Sequence, residues 1–208
     1  MDFYQAIERR RTVRDFKPDP VDAEVIKRIL SAGLKAPTND HMRSWEFVVV
    51  TDKAVAAQIL KKIPKKVSDK RLDFIMQSWK MSDTVQQRMY IDAIPKQYQM
   101  LYNAGCLLLP FYKQKSALLK PKALSSLNAF ASIWCCIENI LLAATTEGIG
   151  CALRIPLGSE AEHIREIVHH PAEYVLPCCI GIGYPAEDAA KPEQKEVSVE
   201  EKMHFNQW

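Results

Sequence analysis

The chain has 208 residues, 48% of them hydrophobic, with 28 basic against 25 acidic residues and a formal net charge of +3. That length suits one compact domain with a full core and is short for two. So weak a basic balance gives no reason to expect a nucleic-acid partner, and any anion site must be local.

Asp2 is placed to cap an opening helix on which Phe3, Ala6 and Ile7 share a face. Lys17 to Pro20 reads as a turn, and Val21 to Ala36 as an amphipathic helix with Val25, Ile29 and Leu30 inward. Pro37 ends it, the polar loop Thr38 to Ser44 follows, and the apolar run Trp45 to Val50 predicts a strand, a central one. Between about Val55 and Lys122 helical spacing recurs from Leu72 to Met81 and from Thr84 to Tyr102. Leu107 to Tyr112 has strand character, and Lys113 to Lys122 reads as a loop with a solvated basic face. Ala123 to Thr146 forms a long helix apolar almost all round, which requires burial in the core or in an oligomer interface. Gly148 ends it. Cys151 to Ile155 is a short strand, Ser159 caps a helix through Val168, and Tyr174 to Ile182 is the last strand before a polar tail. Helices and strands interleave without strict alternation, which predicts one α+β domain over residues 1–208.

Six cysteines fall in apolar runs or without Cys-x-x-Cys spacing, so they read as buried reduced thiols. The charged opening MDFYQAIERRR lacks the apolar stretch of a signal peptide, and the run Phe130 to Ala144 is too short to span a bilayer. These features point to a cytoplasmic protein with no membrane partner. The histidines at 41, 163, 169, 170 and 204 show no metal-ligand spacing. Gly181-Ile182-Gly183-Tyr184-Pro185-Ala186 fits G-x-G-x-x-A, but Pro185 and a polar tail follow where a dinucleotide-binding helix should begin.

Four guanidiniums, Arg9, Arg10, Arg11 and Arg14, lie within six residues where a helix gives way to extended chain. They repel one another unless an anion or acidic groups relieve them, and the Thr12 hydroxyl beside them suits a phosphate oxygen. A solvated basic helix end is the alternative. The loop after Pro37 puts short polar side chains just before a buried strand, a common way of setting polar groups at a sheet edge, and equally an ordinary connection.

In order along the chain, Arg10-Arg11-Thr12-Val13-Arg14-Asp15-Phe16, Ala36-Pro37-Thr38 with Trp45-Glu46-Phe47, Glu138-Asn139-Ile140-Leu141-Leu142-Ala143-Ala144 with Gly148-Ile149-Gly150, and Gly183-Tyr184-Pro185-Ala186-Glu187 resemble the nitroreductase-like flavoprotein family. His41, Arg43 and Ser44 replace the family's Asn, Gln and Pro, and residues 55–122 carry no match, a stretch that in the family varies and helps shape the substrate pocket. The resemblance implies a central, mostly antiparallel sheet flanked by helices, a long buried central helix, and a homodimer with two shared FMN sites. It would place Arg10 and Thr12 on the FMN phosphate with Arg11 beside them, and Arg14 at the pyrimidine edge of the flavin. Pro37, Thr38, Asn39 and His41 would come from the other subunit, and Ser132 would make a polar flavin contact. Pro156-Leu157-Gly158 would lie along the ring with the Leu157 N–H near flavin N5, and Lys195 would be the tail contact to phosphate. The implied activity is oxidation of NADH or NADPH with hydride transfer to the flavin, followed by reduction of a small acceptor such as a nitroaromatic or quinone. A same-fold task such as dehalogenation, dehydrogenation or flavin breakdown, or a non-catalytic flavin- or nucleotide-binding dimer, stands as the alternative.

Overall fold

The computed structural model describes residues 1–115 and 117–208; Ser116, in the expected 113–122 loop, lies outside the described residues. Asp2 opens α1 (Phe3–Arg9) with a reciprocal cap: its carboxylate accepts the Gln5 N–H at 2.9 Å while the Gln5 side chain accepts the Asp2 N–H. Only Ala6 of this helix is buried; Phe3, Tyr4 and Ile7 are exposed. The second helix, α2 (Ala23–Gly33), starts two residues later than its apolar pattern suggests because Asp22 caps it, accepting the Glu24 N–H at 2.7 Å.

Five strands form one antiparallel sheet: β1 (Trp45–Val50), β2 (Cys106–Lys113), β3 (Gly150–Arg154), β4 (Tyr174–Val175) and β5 (Cys179–Gly183). The order is β1-β2-β5-β3, with β4 pairing the end of β2. Strand β1 is therefore an edge strand, not a central one. Its apolar run reflects packing on both faces and carries no information about neighbours in the hydrogen-bonding direction. The centre is β2, whose side chains alternate between two cores. Cys106, Leu108 and Tyr112 meet α2 and α7 (Asn128–Thr146), while Leu107, Leu109 and Phe111 meet α3 (Lys53–Ile59), α6 (Gln99–Tyr102) and α8 (Glu160–Val168). The α+β arrangement, an antiparallel sheet between helices with one long helix, is as expected.

The details of residues 55–122 differ from their pattern. Helices α4 (Asp69–Ser78) and α5 (Thr84–Ala93) fall close to the predicted spans, but the second stops nine residues early. Ile94 keeps helical backbone angles, but Pro95 has no N–H to continue the ladder, and the chain restarts as the short α6. Helix α3 gave no recognised signal, and the stretch also supplies β2, so it is not helical throughout. The strand expected over Tyr174 to Ile182 is split into β4 and β5, with Pro177 in the gap.

The long helix begins as a 3-10 turn, Leu124–Leu127, and becomes α-helical only at Asn128. Within the single chain it is buried along one face, through Ile133, Cys136, Ile137, Ile140 and Ala144; Ala131, Cys135 and Glu138 are exposed on the other. Counted from Leu124 it has 23 residues and is long and apolar enough to cross a bilayer, contrary to the shorter run read from sequence. Here its apolar face lies on α2 and the sheet, and Asn139 Nδ2 donates to the Ala32 carbonyl at 3.2 Å. All six cysteines are unpaired, and only Cys135 is exposed. Burial pushes the Cys106 thiol up to about 11 and those of Cys136, Cys151 and Cys179 up to about 12, so these four stay protonated packing groups.

Candidate functional site

From Arg10 the chain leaves α1 in extended form and runs beside β3. Thr12 pairs with Cys151 in parallel, and Val13 N–H donates to the Cys151 carbonyl at 2.9 Å. Farther on, Lys17 N–H donates to the Tyr184 carbonyl and Ala186 N–H to that of Asp15. An extended segment alternates its side chains. Arg11 and Val13 accordingly line one cavity of about 410 Å³ together with Arg9 and Lys191, whereas Arg14 lines another of about 270 Å³ with Arg88, Asp92 and Lys191. Arg10, Thr12 and Arg14 thus share one side by the period of two. Arg11, expected beside the phosphate contacts, is turned away and donates to the carbonyls of Glu8 and Arg10.

Arg14 is buried, and its guanidinium donates to Asp92 Oδ2 at 3.1 Å. Lys96 bridges Asp92 at 2.6 Å and Asp15 at 2.7 Å. This line of alternating charges ties α5 to the arginine segment and orients Arg14. Burial alone would lower the Lys96 pKa, but its hydrogen bonds to Asp15 and Asp92 outweigh that and leave it raised, so the ammonium stays charged. Asp92 and Lys96 went unrecognised in the sequence; their i,i+4 spacing was visible, but their link to a residue 78 positions away was not. Arg10 Nε lies 3.6 Å from Glu138 on α7, a pair exposed enough for a stronger anion to displace the carboxylate.

The parallel pairing carries Arg14 toward the end of β3, from which Pro156-Leu157-Gly158 continue. Here the structure corrects an expectation. The Leu157 N–H is taken within its own chain, donating to Glu160 Oε2 at 2.8 Å. Gly158 N–H has no partner among the described residues; its φ is +53°, and nothing lies within 4 Å of where a Cβ would stand. The donors of this turn left without a partner among the described residues are therefore the N–H groups of Gly158 and Ser159. Ser159 makes no side-chain cap on α8.

The loop after Pro37 lies elsewhere. His41 and Arg43 both have left-handed backbones, φ 58° and 47°, a strained arrangement for residues with side chains. The Arg43 guanidinium holds it, donating to the Leu34 carbonyl at the end of α2 at 2.9 Å and to the His41 carbonyl at 3.1 Å. A cavity of about 450 Å³ opens there, with Thr38, Asn39 and Ser132 in its wall. None of Arg10, Thr12, Arg14 or residues 156–158 lines it. The expected contacts thus fall into two separate groups on one chain. Lys195 joins neither: its ammonium is 2.7 Å from Asp83 at the start of α5. The tail cation beside the arginines is Lys191, which no periodicity in the polar tail singled out.

A family model described as Nitroreductase family matches residues 7–184. The chain belongs to the nitroreductase family. It is 25% identical over 210 residues to iodotyrosine deiodinase of Nematostella vectensis, covering 97% of this chain and 74% of that protein. It is 26% identical over 216 residues to a Methanothermobacter thermautotrophicus protein provisionally named NADH dehydrogenase/NAD(P)H nitroreductase, covering 100% of this chain and 88% of the other. Among solved structures, oxidised iodotyrosine deiodinase bound to FMN and 3-iodo-L-tyrosine has the same fold, with a TM-score of 0.72 over 100% of both chains at 20% identity.

Proposed function

We propose that the chain is an FMN-dependent oxidoreductase that works as a homodimer, uses NADH or NADPH as electron donor, and reduces a small acceptor such as a nitroaromatic or quinone. The observation that carries this reading is the division of the site: Arg10, Thr12 and Arg14 share one side of the segment that pairs with β3, and Gly158 lies in the turn that follows this strand, while Thr38, Asn39 and Ser132 line a different cavity. Each group is half of a flavin site, so one flavin would need both a β3 edge and a partner's loop. The exposed Phe3, Tyr4 and Ile7 of α1 and the exposed Phe205 and Trp208 of the tail are apolar surface available to such a partner.

The residues fit the cofactor. Arg10 and Thr12 offer charge-assisted and hydroxyl contacts to a phosphate, and Lys191, beside Arg14, takes the place of Lys195 as the tail cation. The open backbone at Gly158 can approach a planar ring closely. FMN, when bound, supplies the two-electron chemistry. Arg14, oriented by Asp92, puts a fixed positive charge where a reduced, anionic ring is stabilised. The loop at His41 and Arg43 and the α4–α5 region set the shape around the acceptor.

Purified protein should be yellow, release FMN on denaturation, and bleach with NADH or NADPH before nitroaromatic or quinone restores the oxidised spectrum. A colourless protein that takes up no flavin would refute the assignment. The similarity to deiodinases favours a second reading, reductive dehalogenation of a halogenated aromatic ring. Iodide release from 3-iodotyrosine by the reduced protein, without turnover of nitroaromatics, would select it. Lys191→Ala should weaken FMN binding by about 1–2 kcal/mol. Lys195→Ala removes only an exposed surface pair and should leave FMN binding unchanged. Titration of both variants with FMN, followed by flavin fluorescence, checks the pair; the reverse ranking would return the tail contact to Lys195.

A further inference from the structure

Arg154 and Glu160 are 7% and 8% exposed, and among the described residues theirs is the ion pair with both partners buried. The guanidinium grips the carboxylate through both terminal nitrogens, Nη2 at 2.8 Å from Oε1. Arg154 Nε is buried without a hydrogen-bond partner. A buried pair recovers its hydration cost only when every polar group is satisfied, and here one is not, so stability alone is a poor reason for it. What the pair does accomplish is local: it fixes Glu160 Oε2 where it accepts the Leu157 N–H at 2.8 Å.

Two further contacts restrain that turn, the Glu160 N–H donating to the Leu157 carbonyl at 3.1 Å and Arg154 Nη1 to the Ile155 carbonyl at 3.5 Å. The side chains of Ile155 and Leu157 are 55% and 65% exposed, so packing does not hold it, and Gly158 at φ +53° is free to rotate. We propose that Glu160, clamped by Arg154, is a positioning residue that takes up the Leu157 N–H and so leaves the next donor along the turn, the Gly158 N–H, to face the flavin. The inference rests on the flavin reading above and assigns that site a residue outside the expected contact set. Without the clamp, the two successive N–H groups compete for the ring and the peptide between them loses its orientation.

Two double variants separate the acceptor from the buried charge. Arg154→Met with Glu160→Met removes both charges and the acceptor; Arg154→Met with Glu160→Gln removes both charges but keeps a carbonyl for the Leu157 N–H. Neither leaves a lone buried ion, the change that would unfold the chain. Residue-resolved amide exchange on the flavin-free native protein should show Leu157 protected and Gly158 exchanging, with Gly158 becoming protected when FMN is added. The Met/Met variant should lose Leu157 protection, bind FMN about tenfold more weakly, and show a shifted visible flavin band, while Met/Gln restores all three. Leu157 exchanging as fast as Gly158 in the native protein would overturn the tether. Equal FMN affinity and spectra in the two double variants would overturn its role at the flavin. Failure of the native protein to take up FMN would instead remove the flavin reading, and the exchange of Leu157 would still decide whether Glu160 holds the turn.

Discussion

Gly181→Ala should destabilise the fold by about 3 kcal/mol or prevent folding, with the loss visible in denaturant midpoint before any ligand is added. Gly181 sits in β5, the strand between β2 and β3, where α6 crosses the sheet. A Cβ there would stand 2.2 Å from the Met100 carbonyl oxygen and 3.1 Å from the Ala104 Cβ. The obstacle is backbone in the short helix α6, with Met100 and Leu101 both in the core, so no side-chain rotation relieves it. Gly158→Ala is the matched control. Its added methyl meets nothing within 4 Å, so it carries only the strain of a left-handed alanine, about 1 kcal/mol. Urea unfolding of the two variants should rank them in that order. Equal, small losses would mean that α6 does not lie on β5 as described.

The same glycine shows what was legible in the sequence. Residues 181–183 were visible as a Gly-x-Gly at the end of an apolar strand, but the reason for Gly181, a helix carbonyl more than 80 positions away, is a tertiary fact. Local signals served well where local chemistry decides: the Asp2 cap, the amphipathic α2, the strand at Trp45 and the proline after Ala36. They failed where the deciding neighbour is distant. Nothing in Trp45 to Val50 says that β1 pairs on one side, and nothing near Arg14 names Asp92. The motif resemblance named Arg10, Thr12 and Arg14 together, and period-two alternation then separates Arg11 from them. At the turn after β3 it named the Leu157 N–H, which Glu160 three positions ahead captures. In the tail, without periodicity, only the fold shows that Lys195 meets Asp83 while Lys191 lies beside Arg14.

Arg10→Ala should weaken FMN binding by roughly 2–3 kcal/mol, a factor of about 30 to 150, because it removes a charge-assisted contact to a phosphate. The fold should survive. Arg10 belongs to the extended segment after α1, and its link to α7 is a 3.6 Å pair with Glu138, a carboxylate 53% exposed that water can rehydrate when the guanidinium leaves. Glu138→Ala serves as the counter-test. Freed from its competing carboxylate, Arg10 should bind FMN as well as before or slightly better. Flavin fluorescence titrations of the two variants should therefore move in opposite directions or leave Glu138→Ala at the native value. Unchanged affinity in Arg10→Ala would take this residue out of the site and leave Thr12 and Lys191 as the phosphate contacts.

We propose that one flavin needs two chains, since none of Arg10, Thr12, Arg14 and Gly158 lines the cavity walled by Thr38, Asn39 and Ser132. A ligand held by both subunits binds the dimer and not the monomer, so cofactor and assembly must be linked by mass action. Sedimentation of the holoprotein across a dilution series, followed at the flavin absorbance and in the ultraviolet together, measures that linkage directly. A shared site predicts a dimer carrying two FMN, loss of bound flavin in step with dissociation, and a shift of dissociation to lower protein concentration when FMN is added. A monomer that sediments with a full complement of FMN would contradict it, and the assignments of Pro37, Thr38, Asn39, His41 and Ser132 to the partner's flavin would fall together.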